Sequence, residues 1–153
     1  MARWVLLTYR LPREPSTPRI ALWRQLRRLG VAQLGDGVVA LPLDARTREQ
    51  LEWLAESVEE QGGDATVWIA ESGTRAQERS IAQRLSDAVA AEYERVTADA
   101  AAIGSSGDAY GRTAARLRRE LRRIGSRDYF PPPARARARA AVAALTKRVE
   151  AAS

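Results

Sequence analysis

The sequence predicts an α+β fold: a four-stranded sheet with two helices in the order βαββαβ, followed by three further α-helices. Three observations carry this expectation. Short β-branched and aromatic runs alternate with amphipathic stretches up to about residue 72, glycine or proline marks nearly every junction, and beyond residue 72 apolar residues recur at helical spacing.

Trp4 to Tyr9 is an apolar run that ends at Arg10-Leu11-Pro12, where proline stops a ladder, so it is expected to be a buried strand. Ser16 or Thr17 as N-cap, with Pro18 at the first helical position, opens a helix whose inner stripe is Leu22, Trp23, Leu26 and Leu29 and which Gly30 closes. Val31 to Leu34 and Val38 to Leu43 form two strands joined at Gly35-Asp36-Gly37, because Asp-Gly supplies the positive φ angles of a tight turn. A second helix runs from about Ala45 to Gln61, burying Leu51, Leu54 and Val58 and ending at Gly62-Gly63. Ala65 to Ala70 is the fourth strand.

That order has one common compact solution, the ferredoxin-like sandwich, in which an antiparallel sheet carries both helices on one face. The bare opposite face needs a cover, and the helical remainder of the chain is expected to supply it. The expected division is therefore 1–72 for the α/β unit and 73–153 for a helical extension packed on it, together one structural domain.

Ile81, Leu85, Val89, Val96, Ala100 and Ile103 define a long helix from Arg75 to Ile103, broken by Gly104-Ser105-Ser106-Gly107. The next helix reaches Ile124 with Tyr110, Leu117, Leu121 and Ile124 on one side. Asp128-Tyr129-Phe130 is expected to be a docking anchor, Pro131-Pro132-Pro133 a stiff spacer, and the last helix bears Val142, Leu145 and Val149 at seam-like spacing, a candidate dimerisation surface.

Composition narrows the chemistry. The 153 residues include no cysteine and no histidine, which removes thiolate and imidazole ligands, Cys nucleophiles and His bases together. No paired carboxylates stand at a catalytic spacing, so the expectation is a protein without cofactor or metal and without enzymatic activity. The N-terminal apolar run is too short for a signal peptide and no stretch approaches a membrane span, so a soluble, cytoplasmic protein without a membrane partner is expected.

The formal charge of +6 is unevenly distributed: +6 over residues 1–34, −6 over 35–70, −3 over 71–111 and +9 over 112–153. Two arginine groups result. Arg112, Arg116, Arg119 and Arg123 recur at four-and-three spacing on one helical face, as a phosphate-neutralising stripe would. Arg10, Arg13, Arg19, Arg24, Arg27 and Arg28 form a second candidate DNA-binding group after the first strand and along the first helix. The competing reading makes the stripe a solvated outer face, and has the second group pair with the acidic second helix through Glu49, Glu52, Glu56, Glu59 and Glu60. Ser16, Thr17 and Arg19 at a helix start suit a small oxyanion, although capping explains them more simply. Trp4, Trp23, Trp53 and Trp68 all fall in apolar runs and are expected in the core.

The run Trp4-Val5-Leu6-Leu7-Thr8-Tyr9-Arg10-Leu11-Pro12-Arg13-Glu14-Pro15-Ser16, with Leu26-Arg27-Arg28-Leu29-Gly30, Gln33-Leu34-Gly35-Asp36-Gly37 and Arg127-Asp128-Tyr129-Phe130-Pro131, resembles the N-terminal domain of ChrB, the regulator associated with bacterial chromate-resistance operons. The resemblance runs from about Arg3 to Val149. It implies a DNA-associated transcriptional regulator acting as a homodimer. Oxyanion sensing is attributed to a further C-terminal domain of such proteins, so no chromate ligand is carried over. More distantly, the four-strand unit resembles the last domain of PaaX-type repressors and the small CRISPR-adaptation nucleases. Those nucleases place a metal-binding Asp at the end of the first strand, where this sequence has Tyr9-Arg10, which argues against metal-dependent cleavage. The rival to a DNA-binding regulator is a protein-interaction or dimerisation module without direct DNA contact.

Overall fold

The computed structural model describes residues 2–103 and 107–152. The elements are β1 (Arg3–Arg10), α1 (Thr17–Leu29), β2 (Ala32–Gly35), β3 (Val38–Pro42), α2 (Ala45–Glu60), β4 (Asp64–Glu71), α3 (Arg75–Ala101), α4 (Gly107–Gly125) and α5 (Ala134–Ala152). The expected break at Gly104-Ser105-Ser106 lies outside the described residues; Gly107 opens α4. The chain forms two compact units, Met1–Arg84 and Leu85–Ser153, divided inside α3.

In the first unit the strands lie in the order β2-β3-β1-β4 with every pairing antiparallel, the ferredoxin-like arrangement that βαββαβ leads to. Val5 pairs with Leu41 and Leu7 with Val39, and residues directly opposite share a face, so these four sealed side chains form one layer of the core. Leu22 and Leu26 of α1 and Leu51, Leu54 and Val58 of α2 are the helix residues buried with them, at the expected three-and-four spacing.

The fourth strand departs from expectation. Its position at the edge of the sheet gives it one neighbour only, and Trp68 and Ile69 remain 51% and 37% exposed although their run is apolar. On the face that carries Trp4 and Trp68, Trp4, Ala32 and Ala40 are buried, and Trp68 Nε1 donates to Thr8 Oγ1 at 2.9 Å. The start of α3 is tied to this sheet: Ala2 N–H donates to Glu78 Oε1, and Arg84 Nη1 donates to the Gln33 carbonyl at 3.2 Å.

Local signals decide the junctions. Asp44 and Thr47 form a reciprocal capping box on α2, Thr47 N–H donating to Asp44 Oδ1 at 2.8 Å and Asp44 N–H to Thr47 Oγ1 at 3.0 Å. Ser16 occupies the N-cap of α1, yet its side chain makes no cap bond because its backbone is already helical, at φ −78° and ψ −19°. The tight turn foreseen at Asp36-Gly37 is present, with Gly35 pairing to Val38, but only Gly37 takes a positive φ, 70°, and the register shifts between Gln33 and Gly35. Gly37 has a second constraint: a Cβ there would stand 2.4 Å from the Tyr9 carbonyl oxygen.

In the second unit one core joins Val89, Tyr93 and Val96 of α3, Ala114, Leu117 and Ile124 of α4, and Ala138, Val142 and Leu145 of α5. Small alanines at Ala114, Ala134 and Ala138 let the helix backbones approach. The seam on α5 therefore has an occupant other than the second copy foreseen for it. Val142 and Leu145 are each 2% exposed within this core and Val149 packs against it, so the spacing that marked a dimerisation surface marks an intramolecular one.

The expectation for the tryptophans holds for Trp4 alone. Trp23, Trp53 and Trp68 are 55%, 68% and 51% exposed. On α2, Trp53 falls on the side opposite Leu51, Leu54 and Val58, and on α1, Trp23 lies a quarter-turn from Leu22, so each apolar run overstated the width of its buried stripe.

Candidate nucleic-acid interface

The candidate arginines from the end of β1 through α1 remain without acids. None of Arg10, Arg13, Arg19, Arg24, Arg27 and Arg28 forms an ion pair among the described residues, and all six are exposed. The acids of α2 are not their partners; the ion pair on that helix is internal, Arg48 Nε to Glu52 Oε1 at 2.9 Å. Arg27 instead lies over the Trp23 ring, its guanidinium carbon 4.8 Å from the ring centroid.

Part of this group borders a cleft of about 900 Å³. Tyr9 and Arg10 from the end of β1, Ser16, Arg19 and Trp23 from α1, and Asp36 from the β2–β3 turn meet there. Arg24 and Arg28 lie further along α1, and Arg13 sits in the β1–α1 loop, none of them on the cleft. The oxyanion expectation placed Ser16 and Arg19 together, and both line this cleft, while Thr17 does not.

In the second unit Arg112, Arg116, Arg119 and Arg123 occupy the face of α4 opposite buried Ala114, Leu117 and Ile124, and all four are exposed. Two have acidic neighbours: Arg116 Nη1 lies 3.7 Å from Asp99 Oδ2, and Arg123 Nη1 lies 3.3 Å from Glu120 Oε2. Pairs this exposed contribute about 0–1 kcal/mol and yield readily to a stronger anion. Arg118, beside the ladder, donates from Nη1 to Thr146 Oγ1 at 2.9 Å.

The unit also holds a polar network of which sequence reasoning recognised only the Asp128-Tyr129-Phe130 end. Tyr93 O–H donates to Asp128 Oδ2 at 2.7 Å, the Arg135 guanidinium stands 4.0 Å from the same oxygen, and the Asp128 side chain is 1% exposed. Next to it Arg127 pairs with Glu92 and donates from Nη1 to the Arg123 carbonyl at 2.9 Å. Burial, with the Asp128 hydrogen bond and charge adding to it, pushes the Tyr93 phenol up to about 12. Tyr93 and Glu92 gave no local signal, since their partners lie 35 residues away, and the proline run stands between Arg135 and Asp128.

Among the described residues no group of three or more His, Cys, Asp or Glu side chains is arranged to hold a metal ion, and no helix is long and apolar enough to cross a membrane.

Fold and surfaces together define a ferredoxin-like α+β protein extended by helices, with arginine displayed on each unit. The chain belongs to the ChrB family: the family model described as "Protein ChrB, N-terminal" matches residues 19–105. Over 140 residues it is 31% identical to Protein ChrB of Cupriavidus metallidurans, a match covering 88% of this chain and 43% of that protein, so the chain spans less than half the length of this curated relative. Its fold is similar to that of the uncharacterized protein Rv0674 from Mycobacterium tuberculosis, with a TM-score of 0.54 and 17% identity over 99% of this chain and 63% of that one.

Proposed function

We propose that this chain is a non-enzymatic, DNA-associated transcriptional regulator of the chromate-resistance type, holding duplex DNA chiefly through phosphate contacts. The observation that carries the reading is the α4 ladder: Arg112, Arg116, Arg119 and Arg123 project from the face opposite the core, with Asp99 and Glu120 their only ion-pair partners among the described residues. The unpaired arginines of α1 supply a second patch. Both groups are exposed arginines, whose charge meets phosphates irrespective of sequence, so backbone attraction supplies most of the affinity.

Fluorescence anisotropy with a duplex from the chain's own upstream region and a scrambled duplex, each across a salt series, tests this. Affinity is expected to fall steeply with salt, and Arg119→Glu is expected to weaken binding about tenfold on both duplexes while lowering the salt slope by about one. Salt-independent binding, or full affinity in Arg119→Glu, would overturn it.

One observation favours the interaction-module reading. Trp53 is 68% exposed on the outer side of α2 among Glu49, Glu56 and Glu60, while Ile20 and Trp23 are exposed on basic α1. A homodimer that sets α1 of one copy against α2 of the other would cover both. Sedimentation equilibrium of the protein and of Trp53→Glu distinguishes it: a dimer lost in the variant favours this reading, and a monomer at all concentrations removes it.

A further inference from the structure

The cleft between the end of β1, the start of α1 and the β2–β3 turn combines three properties, of which the duplex reading uses only the charge. The first is cationic. Arg10 and Arg19 both line it, and the acid in the same cleft, Asp36, forms an ion pair with neither. Two arginines bordering one concave surface offer the cationic, multidentate chemistry by which a phosphate is held. Their charge adds to the partial positive charge of the α1 N-terminus nearby.

The second property is aromatic. Trp23 and Ile20 line the cleft while 55% and 47% exposed, large apolar areas that the fold itself does not cover. Arg27 stacked over the indole steadies the ring, and an exposed indole bordering a cationic cleft is a platform for a flat heterocycle. The third is hydrogen bonding of both senses. Ser16 makes no cap bond, and the Asp36 carboxylate accepts from hydroxyl or amino groups.

An anion holder, a stacking surface and polar acceptors within a cleft of about 900 Å³ describe a site for one nucleotide. We propose that this cleft binds a single nucleotide, its phosphate against Arg10 and Arg19 and its base against Trp23. The occupant is either a free nucleoside monophosphate or an unstacked nucleotide of a nucleic-acid strand, two sources of the same chemistry. The site does not depend on the α4 ladder, so it stands or falls separately from duplex binding.

Isothermal titration calorimetry of the whole chain, with tryptophan fluorescence alongside, tests it. The ligands are the four nucleoside 5′-monophosphates, adenosine, inorganic phosphate and a 5′-phosphorylated tetranucleotide. Saturable binding of at least one monophosphate or of the tetranucleotide is expected, with adenosine and phosphate each about tenfold weaker or more, since each forfeits one of the two anchors. Arg19→Ala, Arg10→Ala and Trp23→Ala are each expected to weaken binding about tenfold, and Arg95→Ala, an exposed arginine of α3 that belongs to neither arginine group, to leave it unchanged. The three cleft variants remove exposed or half-exposed side chains, and their thermal transitions report that the fold persists. Tighter binding of the tetranucleotide than of any monophosphate identifies a strand as the occupant; the reverse order identifies a free nucleotide. No saturable binding of any of these at millimolar concentration, or equal affinity in wild type and the cleft variants, would overturn the proposal.

Discussion

The two units dispose of their charges in opposite ways. In Met1–Arg84 the arginines of α1 and of the β1 end face solvent without acids, beside aromatic rings that the core does not need. In Leu85–Ser153 several charges are committed to the fold, with Asp128 buried under Tyr93 and Arg135 and Arg127 closed onto Glu92 and a helix carbonyl, while the α4 ladder faces outward. Net charge does not separate these cases, since each unit has a basic segment. Pairing and burial do: an unpaired cation beside an exposed ring is disposed to bind a ligand, while a buried, hydrogen-bonded carboxylate holds helices together.

The largest effect that would test this contrast is on stability. Asp128→Ala leaves the buried Tyr93 hydroxyl without its acceptor and Arg135 without its counter-charge, and is expected to cost about 2–3 kcal/mol, discounted because the Arg135 side chain is 32% exposed. Arg27→Ala in the first unit, an exposed cation on an exposed ring, is expected to cost under about 1 kcal/mol. Urea unfolding of the two variants measures both. Equal costs would break the comparison.

The same network gives the helical unit an alkaline limit. Tyr93 is protonated in both folded and unfolded states at neutral pH, so it contributes no pH dependence there. Its phenol moves from 10.0 to about 12 on folding, so above pH 10 the unfolded chain loses the proton first and stability declines as pH rises towards 12. The full decline is about 3 kcal/mol at 1.36 kcal/mol per pH unit. Tyr93→Phe is expected to lack this component when unfolding is followed from pH 9 to 12, and an unchanged profile would remove Tyr93 as its source.

These contrasts were unevenly legible in the sequence. The strand order followed from βαββαβ because that pattern has one common solution, and the inner stripes Leu22–Leu26 and Leu51–Leu54–Val58 followed from helical period. Periodicity does not say what covers a stripe, which is why Val142, Leu145 and Val149 fitted a dimer seam as well as the core they occupy. It also does not distinguish an edge strand from a central one, hence the exposed Trp68. The cleft was legible in part, through the grouping of Arg10 with Arg19 and of Ser16 with Arg19 at a helix start; Asp36 and Trp23 are brought to them only by the fold, although the second stripe on α1, Ile20, Trp23 and Arg27, lay beside the Leu22–Leu26 stripe.

The smallest effect concerns the two helix starts of the first unit, and it sharpens the contrast within a single layer. Asp44 is committed to the fold through its reciprocal bonds with Thr47, whose hydroxyl also donates to the Pro42 carbonyl at 2.6 Å. Ser16 occupies the same position on α1 and makes no cap bond. Asp44→Ala is therefore expected to destabilise by about 1 kcal/mol, and Ser16→Ala by no more than a few tenths. Equilibrium unfolding in urea resolves the difference. A cost for Ser16→Ala equal to that of Asp44→Ala would place its hydroxyl in the service of α1; a negligible cost leaves it, like Arg10 and Arg19, free for whatever enters the cleft.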